Sequence, residues 1–365
     1  MTDPRTSAAE LRDHLWRAVT EGSEPAAVDV VTAAADAGWD EEGLLLDVVA
    51  AVQVKVGAEW AANRITVARE HAATAVNDRV VAALVHRSAA RRPRGAAPRG
   101  RVTVSCVDGE WHAFPARLVT EVLRLRGWHV DYLGAQTPTP HLVAHLHDTD
   151  PGAVLLSGSL PTHLPAAHAA ITACQAVGVP VLAGGRAFGP DGRFARALGA
   201  DRWAADARGA AAVLEGGLPR PLPTAVRQTV DDLPHLADQE YTMAVRSRGS
   251  LVRRTMTDLE HRFPALRGYS DEQREHTAED IAHIVDFLAT ALYVDDPEVF
   301  TSFLTWTAEI LAARRVPADS LRTALDILAG QSRDAPRTLA MLRAGAAALR
   351  DHPADPPAQE LAAHA

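Results

Sequence analysis

Four short runs rich in β-branched and aliphatic residues recur between residues 101 and 185, and a helix-like stretch separates each from the next. The runs lie at 101–107, 128–134, 153–157 and 179–185, with helical stretches at 116–126, 139–147 and 164–177. Strands alternating with helices form a parallel sheet joined by right-handed crossovers. The pattern therefore predicts a doubly wound α/β domain over residues 101–216. A ligand of such a domain belongs at the carboxyl ends of the strands.

The flanks follow a different periodicity. Residues 7–88 keep apolar positions at helical spacing, Ser7-x-x-Glu10 forms a capping box, and no proline occurs between Pro25 and Pro93. A bundle of about four helices follows from this. Residues 89–100 carry Pro93, Pro98 and several arginines and read as a solvated linker, with a phosphate-binding patch as the alternative. Residues 217–250 read as a second linker. From Leu251 to about residue 350 the chain is helical again: Ser270-x-x-Gln273 caps one helix, Asp296-Pro297 opens another, and Pro317 a third. Residues 351–365 read as a disordered tail. The fold class is α/β plus all-α.

Composition narrows the functional classes. The net charge is −9, which disfavours direct DNA binding unless one face is strongly basic. No apolar run approaches the ~20 residues that a membrane span needs. The two cysteines, Cys106 and Cys174, allow neither a disulfide framework nor a thiolate metal site and fit a cytoplasmic protein.

Small or polar residues stand after three of the four runs. Glu110-Trp111-His112 follows the first, Ser157-Gly158-Ser159-Leu160 the third and Gly184-Gly185 the fourth. Taken singly, a loop histidine is usually a surface residue, and Ser-Gly or Gly-Gly pairs are ordinary turn punctuation. Together, Glu110-x-His112, Ser157-x-Ser159-Leu160 and Gly184-Gly185 resemble the Asp-x-His-x-x-Gly, Ser-x-Leu, Gly-Gly signature of cobalamin-binding domains. The spacings, 45 residues from His112 to Ser157 and 27 more to Gly184, are similar to those of that family. The resemblance implies that His112 is the lower ligand to cobalt and that Glu110 holds the other ring nitrogen. It also implies that Ser157, Ser159 and Leu160 line a channel for the nucleotide tail, and that Gly184 and Gly185 let the tail pass close to backbone. Two positions depart from the family pattern: Glu110 replaces the usual Asp, and Pro115 stands where Gly is usual, which implies a stiffer loop.

In the helical region Trp60 is followed, after nine residues, by Glu70-His71. A tryptophan in a bundle is usually core, and Glu-His on a helix is usually surface. The arrangement nevertheless resembles the Trp-x9-Glu-His motif of cobalamin-dependent photoreceptors. That resemblance implies that Trp60 packs against an adenosyl group, Glu70 bonds its ribose, and His71 reaches cobalt once the group has left. It covers residues 7–215. The helical cap begins close to Met1, without the helix-turn-helix domain those receptors usually carry, and a helical region follows instead. This layout is similar to the photocobilins, which add a helical, globin-like biliverdin domain.

Within residues 251–350, His276, Asp280, His283 and Phe287 fall on one helical stripe beside a core stripe of Ile281, Ile284, Leu288 and Leu292. The resemblance implies a non-covalent biliverdin site near His276, Asp280 and His283, with Arg253, Arg254, Arg262 and Arg267 for the propionates and Tyr269, Tyr293 and Trp306 against the rings. A solvent-facing stripe on a dimerisation bundle is the other reading. The implied protein is a light sensor rather than an enzyme, a homo-oligomer (dimer or tetramer) with an unknown downstream partner. The competing assignment is a corrinoid methyl carrier of a methyltransferase system.

Overall fold

The computed structural model describes residues 7–91, 99–221, 229–262, 266, 268–316 and 318–351. Most of the 89–100 linker, the 351–365 tail, Arg267 and Pro317 lie outside them. The chain divides into two compact units, the first comprising residues 1–159 and 166–226, the second residues 160–165 and 227–365.

The first unit opens with four helices. Helix α1 (Ala8–Glu21) starts at the Ser7–Glu10 capping box and stops at Gly22, whose φ of 75° ends the helix in the left-handed region. Helix α2 (Glu24–Asp36) follows. The third helix is not uniform: α3 (Glu41–Gly43) passes through a π-helical stretch, Leu44–Val49, into α4 (Ala50–Ala61). Strict 3.6-residue spacing does not anticipate that stretch. Its wider turn buries Leu44, Leu45, Val48 and Val49 together and leaves Asp47 outward. Helix α5 (Val67–Arg91) completes the bundle.

Five strands form the sheet: β1 (Arg101–Cys106), β2 (His129–Gly134), β3 (Ala153–Ser157), β4 (Val181–Gly184) and β5 (Arg202–Ala204). All pairs are parallel and the order is β2-β1-β3-β4-β5. β5 has three residues, too short for alternation to betray it in the sequence. Helices α6 (Phe114–Leu125), α7 (Thr139–Thr149), α8 (Leu164–Ala176), α9 (Arg193–Ala197) and α10 (Ala207–Glu215) connect and flank the strands. The order reverses between β1 and β3, where ligands of open α/β sheets bind.

Helix α6 joins bundle and sheet because it is apolar on two sides. Leu118 and Val122 belong to the bundle's core, while Ala116 and Leu123 belong to the sheet's. Ion pairs border this contact: Arg126 grips Glu42 through two 2.9 Å bonds, and Arg208 grips Asp47 at 2.8 and 3.0 Å. These charges draw both carboxyls below the usual carboxylate range. The helical cap and α/β domain thus form one folded body.

The second unit holds a short turn of helix, α11 (Thr229–Asp232), then α12 (Glu240–Arg262), α13 (Asp271–Val294), α14 (Pro297–Ala313), α15 (Asp319–Gln331) and α16 (Pro336–Asp351). The linker expected at 217–250 is shorter than that, since α12 already begins at Glu240. Its start is tied down by the buried Glu240 carboxylate, which accepts the backbone N–H groups of Arg337 and Thr338 at 3.0 and 2.7 Å. The capping box at Ser270 and the Asp296-Pro297 helix start both form.

Candidate cobalamin site

The carboxylate of Glu110 organises the strand ends. Strand β1 stops at Cys106, and Val107 N–H donates to Ser157 O at 2.9 Å, so the chain leaves the sheet alongside the end of β3. Glu110 is fully buried. Its Oε1 accepts from His112 N at 2.9 Å and meets His112 Nδ1 at 2.5 Å, while its Oε2 accepts from Ser159 N at 2.7 Å. One side chain therefore sets the imidazole and pins the β3 loop to it. The longer glutamate arm still reaches both.

With Nδ1 held by the carboxylate, Nε2 is the nitrogen left for a metal, the arrangement that fixes a ligand histidine's tautomer. The His112 side chain is 36% exposed. It lies two residues before α6. Pro115 falls within the first turn of that helix, where a missing N–H costs nothing. The proline thus starts α6 and does not stiffen a loop.

Ser157 is buried at the end of β3, in register with Cys106 and with Gly184. Gly185 has φ +98°, and a Cβ there would lie 2.3 Å from Gly158 O. The glycine pair's immediate job is to let the β3 and β4 loops touch through backbone, with Gly158 N bonded to Gly184 O at 3.0 Å. Leu160 leads into a 3-10 turn, Pro161–His163, that belongs to the second unit.

On the cap, His71 Nδ1 sits 2.6 Å from Glu70 Oε2 and 3.0 Å from Val67 O, again leaving Nε2 outward, and its side chain is 59% exposed. Glu70 Oε1 accepts from Thr74 Oγ1 at 2.9 Å. That hydroxyl accepts from Gln53 Nε2 at 2.7 Å, and Gln53 Oε1 accepts from the fully buried Asn77 at 2.8 Å. Both Glu70 oxygens are thus engaged within the cap. Trp60 is half-buried one residue before the end of α4.

Trp111 stands between the two residues of the Glu110–His112 pair. Its indole is 55% exposed, stacks on His112 at 4.1 Å between centroids, and lies 6.3 Å from the His71 ring. It thus brings the cap histidine and the strand-end histidine to one place. The middle position of Glu-x-His carries no requirement of residue type, so only a large aromatic in a loop hinted at it. The Gln53–Thr74–Asn77 chain was equally hidden.

A helical cap fused to a 2-1-3-4-5 parallel sheet, with a carboxylate-held imidazole at the switch point, defines a cobalamin-binding module. Comparison with known families agrees: residues 11–85 and residues 100–214 each match a family model described as a B12 binding domain. The chain carries both parts, cap and α/β domain, and is a cobalamin-binding protein. Among solved structures it is similar to the monomethylamine corrinoid protein of Methanosarcina barkeri (19% identity, 57% of this chain and 98% of that one, TM-score 0.49). It is also similar to the methanol:cobalamin methyltransferase complex of the same organism (21%, 57% and 79%, TM-score 0.31) and to a cobalamin-binding protein of Desulfitobacterium hafniense (20%, 57% and 98%, TM-score 0.31). No curated protein matches the sequence.

Among the described residues no cluster of three or more His, Cys, Asp or Glu side chains is built to hold a bare metal ion, and no helix is long and apolar enough to cross a membrane.

In the second unit the expected stripe is present on α13. His276, Asp280 and His283 are exposed and Phe287 is half-buried, while Ile281, Ile284, Leu288 and Leu292 are buried. Phe287 stacks on Phe303 of α14 at 3.9 Å. Partial desolvation raises the Asp280 carboxyl above its ordinary range, against the lowering pull of His283 and His276. His276 lies 3.4 Å from Glu279 and 3.9 Å from Glu272. Tyr293 is not available to a chromophore ring as expected: it is buried and meets Tyr241 edge-on at 4.8 Å.

Proposed function

We propose that the chain is a photoreceptor that holds adenosylcobalamin with His112 as lower ligand, binds biliverdin non-covalently in residues 251–350, and signals through a change of conformation or assembly. It binds and responds rather than turning over a substrate. One observation carries this reading: the cap's Glu70-His71 and the strand-end Glu110-His112 each tie Nδ1 to a carboxylate, and both rings meet Trp111. Two imidazoles prepared in the same way would each offer Nε2 to cobalt, His112 from the strand end and His71 from the cap. Bound adenosylcobalamin supplies a cobalt–carbon bond that light breaks. Trp60, from the cap, would pack against the adenosyl group, and Ser157, Ser159, Gly184 and Gly185 would line the tail. For the bilin, Asp280 and His283 offer polar groups to pyrrole nitrogens beside the Phe287–Phe303 pair, with His276 at the edge.

The full-length protein, loaded in the dark with adenosylcobalamin and biliverdin, tests this by absorbance and light scattering before and after illumination. The expected result is bilin absorbance that acid denaturation releases completely, together with a change of oligomeric state in light. Photolysis with no change of assembly or conformation in light would contradict the receptor reading and favour a methyl carrier.

A further inference from the structure

Trp111 is the largest exposed aromatic surface beside the site. An indole left 55% accessible forgoes the burial that usually holds it, so its position needs another cause. That cause is the His112 ring, 4.1 Å away and tilted by 29°, a stacked pair. Stacking covers the face of the imidazole. The Nε2 lone pair lies in the ring plane, so the indole leaves the ligating direction clear. Glu110 restrains the same ring at its Nδ1 edge, and the two contacts are complementary: the carboxylate fixes which nitrogen is offered, and the indole fixes the plane in which it is offered. Metal coordination draws electron density from imidazole, and an electron-rich indole face favours a ring so polarised.

We propose that Trp111 is a positioning residue that clamps the plane of the His112 imidazole for cobalt. The proposal rests on His112 being the lower ligand. It is tested in full-length, nitrogen-15-labelled protein loaded with cob(II)alamin, whose electron paramagnetic resonance spectrum distinguishes a nitrogen donated by the protein from one donated by the cofactor's own base. Trp111→Ala and Trp111→Leu should lower the ratio of imidazole-ligated to unligated cofactor by about threefold to tenfold, the fold-change an aromatic pair contributes. Trp111→Phe, which keeps a stacking ring, should restore it. Leucine keeps apolar bulk, so its failure separates stacking from simple filling. Wild-type ratios in the alanine or leucine variant would overturn the clamp. Absence of labelled nitrogen in the wild type would instead overturn the assignment of His112.

Discussion

Glu110→Ala should be the most damaging single change in the cobalamin site. The carboxylate satisfies two backbone N–H groups, those of His112 and Ser159, and holds the His112 ring, all from a fully buried position. Removing it leaves these half-buried partners without their acceptor. An unmatched buried donor costs about 1–3 kcal/mol, and the three share one network, so a combined loss of roughly 3 kcal/mol is expected. Cobalamin affinity should fall about 10- to 100-fold, as for other groups that orient a ligand histidine. Glu110→Gln keeps the volume but turns an acceptor into a donor facing donors, and should rescue little. Denaturant unfolding followed by a cobalamin titration checks both effects. A wild-type midpoint and affinity in the alanine variant would refute the role given to this carboxylate.

Gly185→Ala should destabilise the α/β domain comparably without touching any polar group. The residue has φ +98°, and the added Cβ would lie 2.3 Å from Gly158 O and 3.1 Å from Gly158 C. Both obstacles are backbone, so no side chain can yield. Strain of this kind costs about 1–3 kcal/mol, and displacing the Ser157–Ser159 loop adds to it, so a loss of about 3 kcal/mol or more is expected. Gly330→Ala is the control. That glycine is helical with open space around it, and alanine there should stabilise by about 0.5–1 kcal/mol. Equal unfolding midpoints for the two variants would show that the β3–β4 loop contact is not tight.

Periodicity carried the layout well. Alternating strands and helices announced a parallel sheet, and the Ser7 and Ser270 capping boxes and Asp296-Pro297 marked helix starts that the structure contains. What escaped has local causes. β5 is too short to alternate, the Leu44–Val49 turn trades 3.6-residue spacing for wider burial, and the start of α12 depends on Glu240 bonding to residues nearly a hundred positions later. In the site, residues with a required chemical type were legible: an imidazole, a carboxylate two positions before it, glycines where backbones meet. Trp111 and the Glu70–Thr74–Gln53–Asn77 chain were not, because stacking and relayed hydrogen bonds are set by folded geometry and leave no fixed spacing. The Gly184-Gly185 pair was found for its closeness to backbone, but the backbone it meets first is Gly158.

The central claim is that His112 binds the cobalt of cobalamin from the end of β1. The most direct measurement is the electron paramagnetic resonance spectrum of cob(II)alamin in nitrogen-15-labelled full-length protein, compared with His112→Ala. The wild type should show the doublet splitting of a single labelled axial nitrogen, and the alanine variant should lose it while keeping its fold. A triplet from the cofactor's own unlabelled base in the wild type, or a doublet that survives in His112→Ala, would contradict the assignment.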